Sequence, residues 1–194
     1  MWNREFYRSD DMLLCISKQT KNLVENVLRD HPKPGHVQYV PHGIDERKFF
    51  PVVNDFEFEA FKEKIFGTEK MDFVVLWNSR NIRRKNPTDI ILAWRTFLDQ
   101  LPPEKAKKCM LLMKTEPVFE HGTDLPACIE TMCDPELHKV KIVNERFEEK
   151  QLNYLYNCSD AHMFMTDNEG WGLGLTESLT AGRMIIAPVQ GGMQ

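Results

Sequence analysis

Apolar positions along this chain follow two alternating rhythms. Short, continuously apolar runs recur, and segments with helical spacing separate them. "DMLLCIS" (11–17) reads as a buried strand, and "KQTKNLVENVLRD" after it as a helix with Leu23, Val27 and Leu28 on one face. "HVQYVP" predicts a second strand. "PHGIDERKFFPVVNDF" carries proline and glycine and reads as a connector. "FEFEAFKEKIF" predicts a helix with Phe58, Phe61 and Ile65 inward.

Beyond residue 70 the alternation becomes regular. Strands are predicted at "DFVVLWNS", "KCMLLMKT", "VKIVNER", "AHMFMT" and "MIIAPV". Between them lie predicted helices at "NPTDIILAWRTFLDQL", "DLPACIETMC", "EKQLNYLYNCS" and "LGLTESLTA", the last closed by Gly182. In the first of these, Pro87 suits the first turn, and Ile90, Ile91, Trp94, Phe97, Leu98 and Leu101 are apolar. Trp77 and Trp94 are expected in the core, and Met110, Met113, Met163, Met165 and Met184 are read as packing residues. Apolar strands alternating with amphipathic helices predict an α/β fold: a doubly wound, Rossmann-like parallel sheet covered on both faces. Ligands of such sheets sit beyond the carboxyl ends of the strands.

Composition narrows the picture only slightly. The 194 residues carry a net charge of −4, which disfavours nucleic acid as the main partner. Five cysteines without a CxxC spacing read as reduced, mostly buried thiols, and a zinc site from Cys128 and Cys133 lacks nearby ligands beyond His121 and His138. The polar start of the chain has no signal-peptide pattern, so a cytoplasmic location is expected, at most peripheral at a membrane.

Two loops carry candidate chemistry. "TDNEGWGLGLTESLTAG" (166–182) sets three glycines between Glu169 and Glu177, at the end of one strand and the start of a helix. Unpaired N–H groups and the dipole at a helix N-terminus favour an anion, and glycine lets it approach the backbone. Glu169 is expected at the mouth of the loop, in reach of sugar hydroxyls, and Glu177 in the first helical turn, facing the same crevice. A solvated loop with Glu177 merely complementing the dipole remains an alternative. The second loop, "NSRNIRRKNP" (78–87), holds Arg80, Arg83, Arg84 and Lys85 after another strand. Such a cluster suits a pyrophosphate, although charge runs are often only solvated.

Taken in order, "VPHGID" with "FFP", "NSRNIRRKNP", "LNYLYNCSD" and "EGWGLGLTESLTAGRMIIAP" resemble the motifs of the GT-B nucleotide-sugar-dependent glycosyltransferases, in particular the retaining family 4. The resemblance spans about residues 11–194. It implies that Arg80 and Lys85 neutralise the departing diphosphate and that Glu169 hydrogen-bonds the donor sugar. It also implies that the backbone of Gly170, Trp171, Gly172 and Leu173 cradles sugar and phosphate, and that Glu177 holds the ribose hydroxyls. The backbone near 144–147 would meet the base. Glu169, Arg80 and Lys85 are thus the expected catalytic groups. Trp171 is expected as a mobile loop aromatic near the sugar, and His42 as structural. With no DxD motif in the chain, fixed cations and a helix N-terminus must stabilise the leaving group, so no metal or cofactor is expected.

The resemblance further implies a domain plan. Residues 1–41 would be the tail of an acceptor-side domain, 42–56 the connector, and 57–194 a donor-binding GT-B C-terminal domain. The chain is expected to be a truncated fragment, inactive alone and prone to self-association through exposed sheet edges. The whole enzyme would transfer a hexosyl group from a nucleoside diphosphate sugar to a glycan, lipid or protein. Peripheral membrane contact through further regions is compatible with this. A GT-B sugar-nucleotide epimerase and a non-catalytic nucleotide-binding module are the alternatives.

Overall fold

The computed structural model describes residues 2–30, 35–189 and 191–193. The chain divides into two units. The first comprises Met1–Gly43, Asn168–Leu173 and Pro188–Gln194, and the second Ile44–Asp167 and Gly174–Ala187.

In the first unit, helix α1 (Trp2–Ser9) precedes strand β1 (Leu13–Cys15), helix α2 (Lys18–Val27) and strand β2 (Val37–Tyr39). The two strands pair in parallel, Leu13 opposite Val37 and Cys15 opposite Tyr39. Ser17 caps α2 by accepting from the Thr20 N–H at 3.1 Å. Cys15, Val24 and Leu28 form the small core. This corrects the expected helix face: Val24 points inward and Leu23 is exposed. A core of β1 and β2 lies under the Val24–Leu28 row, one residue round from the row through Leu23. Helix α1 was not anticipated in its short, on average polar sequence WNREFYRS.

The second unit winds twice. Helix α3 (Phe56–Phe66) leads into β3 (Phe73–Asn78), α4 (Pro87–Leu98), the short α5 (Pro103–Ala106) and β4 (Cys109–Lys114). Then follow α6 (Leu125–Met132), β5 (Val140–Val143), α7 (Glu149–Asn157), β6 (Ala161–Met163), α8 (Leu173–Thr180) and β7 (Met184–Ile186). All five strands are parallel, in the order β5-β4-β3-β6-β7.

Period-two alternation sorts the central strand onto two cores. Val74 and Leu76 pack with Phe58, Phe61, Tyr154 and Leu155, on the side of α3 and α7. Val75 and Trp77 pack with Ile90, Ile91, Trp94 and Leu125, on the side of α4 and α6. Phe97, one of the apolar residues of α4, flanks its buried stripe and keeps 41 % exposure, its ring leaning on Phe73 and Trp94. Met184, on the edge strand β7, and Met165, beyond the end of β6, are also exposed, whereas Met110 and Met113 are buried in β4.

The connector is fastened to α7 by its backbone. Asn153 accepts from the Phe50 N–H at 3.1 Å, and Asn157 accepts from the Val52 N–H at 2.9 Å. Asp55 then caps α3, and the Tyr154 hydroxyl donates to it at 2.7 Å. Among the described residues no helix is long and apolar enough to cross a membrane.

A buried amide ties the loop after β3 to the loop after β4. Asn81 is 1 % exposed; it donates to the carbonyls of Glu116 (3.1 Å) and Thr123 (2.6 Å) and accepts from the Thr123 N–H (3.0 Å). Gly122 lies so close to the Asn81 backbone that a Cβ there would collide with its carbonyl.

Two predictions follow from these buried polar groups. Asn81→Ala leaves three backbone groups of the 116–123 loop unpaired and is expected to cost about 2–4 kcal/mol, read from urea unfolding midpoints. The second concerns His162 on β6, which is fully buried with its pKa pushed down to about 4 by burial. The unfolded chain therefore binds this proton more readily. The stability that neutral His162 contributes is complete above its ordinary pKa of 6.5 and is lost as pH falls toward about 4. His162→Gln is expected to flatten the change in urea midpoint between pH 7 and pH 4.5 relative to wild type.

Candidate functional site

The winding of the second unit reverses at β3. From there the chain passes outward through β4 to β5, then returns to place β6 on the other side of β3. The loops after β3 and β6 therefore diverge from adjacent strand ends, the position at which open parallel sheets hold ligands. Arg80, Arg83, Arg84 and Lys85 all lie on the loop after β3, among them the two expected to meet the diphosphate, Arg80 and Lys85.

That loop is ordered by its own backbone. Arg83–Lys85 form a 3-10 turn, Asn86 takes a left-handed conformation (φ 50°), and Pro87 opens α4. Hydrogen bonds join it to the loop after β6: the Asp167 N–H and Thr166 hydroxyl donate to the Arg84 carbonyl (2.8 and 3.1 Å). Asn86 donates to the Asp167 carboxylate at 2.8 Å. The basic residues differ in surroundings. Arg80, Arg83 and Arg84 are exposed. Lys85 is only 8 % exposed, with its ammonium 4.6 Å from the Phe164 ring centroid.

Glu177 occupies a different place from the one expected. Helix α8 starts at Leu173, so Glu177 lies in the second turn, too far along to complement the dipole. It is half-buried and accepts a hydrogen bond on Oε2 from the Tyr156 hydroxyl at 2.6 Å. Tyr156, fully buried on α7, in turn accepts from Asn78 Nδ2 at 2.9 Å. Burial raises the Glu177 pKa, and the bond from Tyr156 opposes that rise. The Tyr156 phenol is held well above its usual range by burial and by the adjacent carboxylate. Gly174 faces this cluster: a Cβ there would make ordinary contacts with Tyr156 Oη at 3.4 Å and with His162 and Phe164 at 3.7 Å.

Glu169, Gly170, Trp171, Gly172 and Leu173 fall in the first unit. Glu169 is half-buried, Gly170 exposed and Gly172 buried with φ 88°. The segment Gly191–Met193 packs onto this loop through its backbone. Gly192 donates to the Glu169 carbonyl at 2.9 Å, and a Cβ on Gly192 would collide with the Gly170 carbonyl. The ring of exposed His42 lies 6.0 Å from that of Trp171, edge to face, so His42 belongs to this loop's surroundings rather than to a core.

A cleft of ≈ 610 Å³ opens over the ends of β3, β4 and β5, lined by Arg80, Lys114, Thr115, Phe119, Asn144 and Arg146 among others. It contains the 144–146 backbone expected near a base. Thr115 is 4 % exposed, and among the described residues its hydroxyl has no hydrogen-bond partner. Tyr156, Asn78 and Asn81 were not singled out from the sequence. Tyr156 reads there as one apolar residue of a helix stripe, and only its depth brings its hydroxyl to Glu177. Among the described residues no three His, Cys, Asp or Glu side chains cluster as a metal site requires. The cysteines are free, and four of the five are buried; Cys158 is pushed up to about 12 by burial.

No protein-family model and no curated protein matches the chain in sequence. Solved structures match its fold. Sucrose-phosphate synthase from Thermosynechococcus elongatus superposes with a TM-score of 0.72 at 20 % identity, over 99 % of this chain and 44 % of that one. Anabaena Alr3699/HepE, solved in complex with UDP-glucose, superposes with a TM-score of 0.69 at 16 % identity, over 94 % of this chain and 46 % of its own. WaaG, a glycosyltransferase involved in lipopolysaccharide biosynthesis, gives 0.67 at 18 % identity, over 93 % and 45 %. The chain spans less than half the length of each. At these identities the likeness is one of fold: a doubly wound, Rossmann-like α/β architecture of the GT-B glycosyltransferase type.

Proposed function

We infer that this chain is the donor-binding portion of a GT-B glycosyltransferase, one that moves a hexosyl group from a nucleoside diphosphate sugar to a glycan, lipid or protein. The observation that carries the reading is the switch point between β3 and β6, where the cationic loop after β3 is hydrogen-bonded through Arg84 and Asn86 to Thr166 and Asp167 after β6. A diphosphate is the ligand that such an edge suits best: it spans two loops and accepts from cations and backbone N–H groups at once. The fold neighbour solved with UDP-glucose supports a nucleotide sugar as the class of ligand.

In this reading Arg80 and Lys85 neutralise charge on the departing diphosphate. Lys85 has more leverage, because a buried cation acts through a lower dielectric than an exposed one. Glu169 accepts from donor-sugar hydroxyls, and the backbone from Gly170 to Leu173 lines the sugar and distal phosphate. Glu177 accepts from the ribose. Its half-buried carboxylate supports that role, since an ordinary packing position would be better served by an uncharged side chain. The cleft bounded by Arg80, Thr115 and Asn144 would take the base. Transfer with retention, in the manner of family 4 and without a metal, completes the proposal. Transfer requires an acceptor-side domain, which residues 1–41 would adjoin, with 42–56 as the connector and 57–194 as the donor-binding domain.

Calorimetric titration with UDP, GDP and ADP, with and without magnesium, tests this reading. One nucleotide is expected to bind equally well with and without the metal. Lys85→Ala and Glu177→Ala are each expected to weaken it by about tenfold to a hundredfold, as loss of a charge-assisted contact does. A folded chain that binds none of the three, or whose binding neither substitution alters, would overturn the proposal.

A further inference from the structure

Half-buried Glu177 receives one hydrogen bond from the described residues, that of Tyr156 on Oε2; none reaches Oε1. The Tyr156 hydroxyl has one proton to give. Asn78 Nδ2 donates to its oxygen at 2.9 Å, which occupies the acceptor side and directs that proton along the 2.6 Å bond to Glu177. The three groups come from three elements, β3, α7 and α8, and Tyr156 is fully buried between them. Its ring is wedged by Phe49 at 6.0 Å and His162 at 5.7 Å, so the hydroxyl has little freedom to move. A carboxylate tethered at one oxygen by a rigid phenol is restricted in rotation, so its other oxygen samples fewer directions.

We propose that Tyr156 is the positioning residue of the hydroxyl-binding site: backed by Asn78, it anchors Oε2 of Glu177 so that Oε1 is presented to a vicinal diol of the ligand. The proposal rests on the reading of Glu177 as a ribose-binding group. It adds a residue that touches no ligand and acts through another. A half-buried carboxylate with a single internal hydrogen bond leaves its other oxygen open to solvent, and a diol donating to Oε1 takes the place of water there. Without the tether the carboxylate would lose conformational freedom on binding, and that loss would weaken the complex.

The test compares ribose with its deoxygenated form. UDP, GDP and ADP are titrated alongside their 2′,3′-dideoxy counterparts, and the tightest pair is carried forward. Wild type is expected to favour the ribonucleotide by at least about tenfold, and Glu177→Ala to abolish the preference. Tyr156→Phe removes one oxygen and keeps the ring packing. It is expected to remove most of the preference, weakening the ribonucleotide about tenfold and leaving the dideoxy form unchanged. Asn78→Ala, a second variant that leaves the ring untouched, is expected to lose part of the preference in the same sense. A merely structural role for Tyr156 predicts instead that both nucleotides weaken alike, and that outcome overturns the proposal. So does a preference that survives Tyr156→Phe and Asn78→Ala but not Glu177→Ala, in which case the ribose reading stands alone. If wild type binds no nucleotide or shows no preference, the Glu177 reading fails and the proposal falls with it.

Discussion

The structure of the larger unit hangs on the return crossing of α7. A parallel sheet cannot be closed by hairpins, so each new strand requires a helix laid across one face. Three strands, β3, β4 and β5, are laid down in one direction before α7 carries the chain from β5 back past β4 and β3 to β6. A crossing helix normally buries only an apolar stripe. This one also buries Asn153, Tyr154 and Tyr156, and each holds a different part of the molecule. Asn153, helped by Asn157, grips the connector; Tyr154 grips the cap of α3; Tyr156 joins the end of β3 to α8. The helix that creates the switch point also supports part of the candidate site.

Polar burial at this edge works against stability and points toward ligand chemistry. Lys85 lies buried over Phe164, and half-buried Glu177 rests on a phenol. Apolar residues of similar volume would pack there without the desolvation cost. Cys158 and His162 show the contrast. They are buried too, but burial keeps the thiol protonated and the imidazole neutral, so neither brings a charge into the core. Charged groups persist at the strand ends, and neutral ones lie beneath them.

Much of the fold was legible in sequence because a doubly wound sheet writes itself in one dimension. The runs "DFVVLWNS" and "KCMLLMKT" are apolar throughout since both their faces are covered, and the helices between them are not. Legibility failed where local pattern and tertiary surroundings parted. Leu23 and Val24 are equally apolar neighbours, and only the position of β1 and β2 decides which is inward. Met184 lies on an edge strand, a status that no run of residues declares. Glu177 was read one turn too early, because glycines blur where a helix begins.

The sequence by itself determined the strand–helix alternation and the chemistry of the two loops: cations before α4, glycines and carboxylates before and within α8. Those properties depend on neighbours within a few residues, which spacing and residue type record. Only the tertiary structure decided the strand order, and with it that residues 80–86 and 166–167 share one edge. It alone buried Lys85 and left Arg80 in water, and brought Asn78, Tyr156 and Glu177 into one chain of hydrogen bonds. Contacts across such separations arise from the way helices cross a sheet, and the burial that sets each group's electrostatics exists only once they have crossed.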